Sequence, residues 1–93
     1  MTWIEKNAEE QSAASPEFKA AYEEECALLA LVRARNAAEL TQQEVADALH
    51  ASQSYIARVE RGSKPMSLSL MLRYANVVGV AVQFTPQPRP ASA

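Results

Sequence analysis

The sequence predicts an all-α bundle of four to five short helices, closed by one short C-terminal strand. Three observations predict it. Helix-starting signals recur at Ser15-Pro16, Thr41–Glu44, Ser52 and Ser67. Apolar residues between those signals follow i, i+3, i+4 spacing. The chain has 93 residues and only two glycines, Gly62 and Gly79, each just past a helical run, where a left-handed cap residue is wanted.

Taken in order, Thr2-Trp3-Ile4-Glu5 fits a capping box and opens an acidic segment over residues 1–15 that holds at most a short helix. Ser15-Pro16 caps and starts an alanine- and leucine-rich helix running to about Ala38. Thr41-Gln42-Gln43-Glu44 is a second capping box, starting a short helix with Val45, Ala46 and Leu49 on one face. His50-Ala51 interrupts the pattern. Ser52 caps the next helix, which has Ile56 and Val59 inward and ends at Gly62. Ser67 caps a last helix with Leu68, Met71, Leu72, Ala75 and Val78 as its apolar positions, ending at Gly79. From Val80 to Thr85 the period changes to two: Val80, Val82 and Phe84 alternate with smaller or polar residues, a strand pattern. A lone strand leaves its backbone groups unpaired, so these three residues are expected to pair with a second copy of the chain. Pro86, Pro88 and Pro90 make residues 86–93 a mobile tail. The expected organisation is therefore 1–15, a helical domain over 16–80, a dimerisation strand over 80–85, and the tail.

Composition excludes several classes. No apolar run reaches the ~18 residues a membrane span needs. Glu5, Glu9 and Glu10 occupy the stretch where an export signal carries positive charge, so a cytoplasmic protein is expected. One cysteine, Cys26, forbids an internal disulfide, and with one histidine, His50, no four-ligand zinc site is expected. No nucleophile–base pair, carboxylate dyad or phosphate-cradling glycine loop is legible, so neither an enzyme nor a cofactor is expected. The net charge is −2 but unevenly spread. Residues 1–31 hold seven glutamates against two lysines, a net −5, and residues 32–93 hold seven cations against four anions, a net +3. A basic rear two-thirds suits phosphate contact more than the whole-chain sum suggests.

The informative stretch is Leu40 to Gly62, LTQQEVADALHASQSYIARVERG. Two short helices joined by a turn of about three residues bury little by themselves. Such a pair holds its second helix proud of the surface. With Ile56 and Val59 inward, Gln53, Ser54, Tyr55, Ala57 and Arg58 face outward or sideways. Glutamine matches adenine N6 and N7, arginine matches guanine O6 and N7, and serine bonds either kind of base edge. These groups gather at the N-terminal part of the helix, the part that enters the DNA major groove in two-helix readers.

On the residues Leu40-Thr41-Gln42, Glu44-Val45-Ala46, Ser52-Gln53-Ser54, Ile56, Val59-Glu60 and Gly62, the chain resembles the phage-repressor and Cro (XRE) helix-turn-helix family over roughly Leu28–Val80. The resemblance implies a lambda-repressor-like fold that binds palindromic double-stranded operator DNA as a homodimer. It puts Gln53, Ser54 and Arg58, with Tyr55, at base-reading positions. Gln42, Ser52, Arg61, Ser63 and Lys64 then face phosphates, and Arg35 and Glu60 stand where many members have a buried ion pair. Glu39 and His50 occupy two turn positions where the family often has glycine; His tolerates positive φ better than most residues.

The two ends add a narrower resemblance. Ser15-Pro16-Glu17-Phe18-Lys19, the RYANVVGV-type last helix and the terminal strand look like HigA-type antitoxins. That likeness implies a RelE/HigB-like mRNA-cleaving toxin as partner and autorepression of the operon. Its toxin-facing residues are expected in the acidic front: Glu23 and Glu24, with Trp3, Ile4 and Phe18 as apolar anchors. A regulator without a toxin partner is the alternative.

Overall fold

The structure is a computed structural model and describes residues 16–89. The expected first capping box, with Trp3 and Ile4, lies outside the described residues, as does the Ser15 cap. Four helices form among the described residues: α1 (Pro16–Ala37), α2 (Gln42–Leu49), α3 (Gln53–Glu60) and α4 (Leu68–Val78). The chain divides into two compact units, one spanning Ala27–Gln83 and the other holding described residues 16–26 and 84–89. None of these helices is long and apolar enough to cross a membrane.

The helix starts follow local chemistry. Thr41 Oγ1 accepts the Glu44 amide at 3.0 Å while Glu44 Oε1 accepts the Thr41 amide at 3.0 Å, a complete capping box. Ser52 Oγ accepts the Tyr55 amide and Ser67 Oγ the Leu70 amide, both at 3.1 Å.

The four ends share one device. Glu39, His50, Gly62 and Gly79 all lie in the left-handed region, with φ of 59°, 55°, 77° and 87°. In each case the next residue's amide turns back to the carbonyl five positions earlier: Leu40 to Arg35, Ala51 to Ala46, Ser63 to Arg58 and Val80 to Ala75, at 2.9–3.1 Å. Each reversal caps carbonyls that the helix leaves unpaired. Two of the four positions carry side chains that this conformation strains. Glu39→Gly and His50→Gly are each expected to raise the unfolding free energy by about 0.5–1 kcal/mol, the relieved strain less the extra freedom of glycine in the unfolded chain. Urea unfolding of each variant checks this; a loss of stability in both would contradict it.

The core of the Ala27–Gln83 unit draws Leu31 from α1, Val45, Ala46 and Leu49 from α2, Ile56 and Val59 from α3, and Leu70, Tyr74, Ala75 and Val78 from α4. The α2 and α3 stripes are the expected ones. The α4 stripe is corrected. Leu68 and Leu72 stay 57% and 43% exposed, while Leu70 and Tyr74 go inside. Both stripes share Ala75 and Val78 and satisfy helical spacing, so periodicity alone does not choose between them. Tyr74 decides, because inside the unit its hydroxyl meets an acceptor.

The expected strand over Val80–Thr85 is also corrected: no strand forms among the described residues. The Val80 amide is spent on closing α4, and one extended run in one chain has no neighbour to complete a ladder. Val82 instead packs against the core, while Val80 and Phe84 are 40% and 85% exposed.

In the other unit, Lys19 Nζ donates to Gln87 Oε1 at 3.0 Å and lies 3.8 Å from the Glu23 carboxylate, a surface pair one helical turn apart. Glu23, Glu24 and Glu25 are exposed, as is Cys26.

Candidate nucleic-acid interface

The turn between α2 and α3 spans His50–Ser52, and its left-handed His50 turns the chain so that α3 packs against α2. Ile56 and Val59 are fully buried on one side of α3. That fixes the rotation of the helix. The opposite side, with residues from the start of α2, lines an open concavity of about 610 Å³ formed by Gln42, Gln53, Ser54, Ala57, Arg58 and Arg61. Its lining carries amides, a hydroxyl and two guanidinium groups around one small apolar residue.

Beneath it sits a saturated carboxylate. The Glu60 side chain is only 5% exposed. Its Oε2 accepts Arg35 Nε at 2.8 Å and the Tyr74 hydroxyl at 2.5 Å. Its Oε1 accepts Arg35 Nη2 and Gln42 Nε2, both at 3.0 Å. Four donors fill the four lone-pair sites of an ionised carboxylate. Arg35 Nη1 also donates to the Leu40 carbonyl at 2.8 Å, tying α1 to the residue before the α2 cap. Burial pushes the Glu60 carboxyl up, but hydrogen bonds from Arg35, Tyr74 and Gln42 outweigh it and hold it below the ordinary carboxylate range. The same contact raises Arg35 further above its usual value. Burial first, and the Glu60 carboxylate second, keep the Tyr74 phenol protonated far above its usual range.

The residues singled out from the sequence fall into distinct places. Gln53, Ser54 and Arg58 line the concavity with Gln42 and Arg61. Ser52 is occupied as the α3 cap and lies 3.3 Å, oxygen to oxygen, from Ser54. Ser63 and Lys64 are exposed in the loop after α3. Tyr55 does not line the concavity: it is half-buried against the core, with the Lys64 ammonium 5.1 Å from its ring centroid. Gln42 does more than face outward, since its amide bridges Glu60 and Gln53. Phe18 is 38% exposed at the start of α1, in the unit that does not hold the concavity. Sequence reasoning missed Tyr74. The available signal was a second apolar stripe on α4, Leu70–Tyr74–Ala75–Val78, containing one side chain that needs a buried acceptor.

A paired α2–turn–α3 unit, with its second helix carried on a closed core and presenting amide and guanidinium groups, defines a helix-turn-helix DNA-binding domain. A family model described as a helix-turn-helix domain matches residues 29–83, more than half of the chain, and the protein belongs to that family, in its XRE-like form. No curated protein gives a match. No solved structure gives one either.

Proposed function

We propose that this protein is a sequence-specific transcriptional repressor, acting in the cytoplasm as a homodimer on a palindromic operator. The observation that carries the reading is the concavity on α3, where Gln53, Ser54 and Arg58 share one open surface with Gln42 and Arg61. Gln53, Ser54 and Arg58, with Tyr55 at the margin, are assigned to base edges, and Gln42, Ser52, Arg61, Ser63 and Lys64 to phosphates. A second copy is supported by apolar side chains left uncovered in the same unit, Leu68, Leu72 and Val80. Reading two half-sites requires their separation to be near one helical turn, about 34–36 Å.

Selection from a random duplex pool tests the reading. An inverted repeat with half-sites about 10 base pairs apart, centre to centre, is expected to enrich. A pool that stays featureless at low salt would overturn the assignment. Leu72→Asp should shift the sedimentation profile toward monomer and weaken binding to the inverted repeat; a wild-type profile would remove α4 from the dimer interface.

The antitoxin reading rests on the exposed carboxylates Glu23, Glu24 and Glu25 and the half-exposed Phe18, a surface suited to a basic RNA-cleaving toxin. Co-expression with the product of the adjacent reading frame tests it. Capture of a small basic ribonuclease, lost on Glu23→Lys/Glu24→Lys, is the expected result. No capture favours a regulator that works without a toxin.

A further inference from the structure

We propose that Glu60 and Tyr74, which lie behind the recognition surface, act as positioning residues that set the polarity of Gln42 and Gln53 and so the base preference of Gln53. The proposal rests on the base-reading role assigned to Gln53 above.

Donors and acceptors alternate outward from Glu60 through Gln42 to Gln53. An ionised carboxylate only accepts hydrogen bonds. Gln42 must therefore turn its NH2 group toward Glu60, as it does at 3.0 Å, because the reverse orientation sets its carbonyl against the carboxylate. Its carbonyl then faces α3, where Gln53 Nε2 donates to it at 2.7 Å. Gln53 in turn cannot reverse without opposing two carbonyls. What remains on Gln53 is fixed: the carbonyl oxygen and one N–H. One acceptor beside one donor is the pattern that meets adenine N6 and N7 together. A buried charge thus decides, through two amides, what a surface glutamine offers.

Tyr74 enters because the carboxylate has to hold still. The Tyr74 hydroxyl and Arg35 Nε fix Oε2, and Arg35 Nη2 shares Oε1 with Gln42. Tyr74 is fully buried and does not line the concavity. Any effect it has on base choice passes through its contacts with α3, of which the hydrogen bond to Glu60 is the polar one.

The test uses the full chain. Side-chain amide NMR of the free protein should show Gln42 and Gln53 signals displaced from those of exposed Gln83. In Tyr74→Phe, and in Glu60→Gln where it folds, those signals are expected to move toward the Gln83 position. In duplex selection, Tyr74→Phe should lower the preference for adenine at the Gln53 position by about tenfold, within the discrimination one bidentate contact supplies. The salt dependence of binding should stay at its wild-type slope, since the relay moves only the uncharged Gln42 and Gln53 and alters no Lys or Arg contact to phosphate. Amide signals that stay in place in Tyr74→Phe would overturn the relay, whatever the DNA result. Shifted signals with unchanged base preference would overturn its role in specificity. A wild-type protein with displaced amides but no preference at that position would instead overturn the base-reading assignment and the proposal with it.

Discussion

Replacing Glu60 by alanine is expected to lower the unfolding free energy by about 3–5 kcal/mol, the range for removing one partner of a buried ion pair. The substitution leaves the Arg35 guanidinium, 12% exposed, without its counter-ion and the buried Tyr74 hydroxyl without its acceptor. For a single core of this size that is a large share of the total stability. The pH dependence has a definite sign. The folded Glu60 carboxyl sits below its ordinary value. Its stabilisation is therefore complete above the unfolded value of about 4.3 and disappears as pH falls through the lower folded value. Wild type should lose stability across that acid window, and Glu60→Ala should lack that component. Urea midpoints measured at pH 7 and across the acid range check both; a loss under 1 kcal/mol at pH 7 would contradict the assigned role.

The second large effect concerns DNA. Gln53→Ala combined with Arg58→Ala should weaken operator binding about 30-fold to 10⁴-fold, taking about 1–3 kcal/mol for each base contact. Base preference should relax at two positions, while binding to unrelated DNA changes less. Both side chains are exposed, so the thermal midpoint should stay near wild type. Mobility shift against operator and scrambled duplexes, with a melting curve alongside, separates these outcomes. Equal losses on both duplexes would mean that the two residues meet phosphates rather than bases.

Much of the fold was legible locally. Thr41, Ser52 and Ser67 announce three helix starts because a hydroxyl beside an amide needs no tertiary partner to act as a cap. Gly62 and Gly79 announce two ends for a similar reason. The ends at Glu39 and His50 use the same left-handed reversal, but their side chains conceal it; only the fit to a helix-turn-helix pattern pointed there. The pattern at Val80–Phe84 forms no strand within one chain, because alternation describes which faces a chain could present, not whether a neighbouring strand lies beside it.

The sequence by itself determined where the helices begin, how α2 and α3 are spaced, and which α3 residues face away from Ile56 and Val59, since those follow from caps and a 3.6-residue period. Tertiary structure alone decided that α4 turns Tyr74 inward rather than Leu72, and that Glu60, beside the Arg35 partner the family resemblance implied, gathers further donors from α2 and α4. A buried carboxylate must find its donors wherever packing brings them, and all four donors here, from Arg35, Gln42 and Tyr74, lie 14 to 25 positions away along the chain.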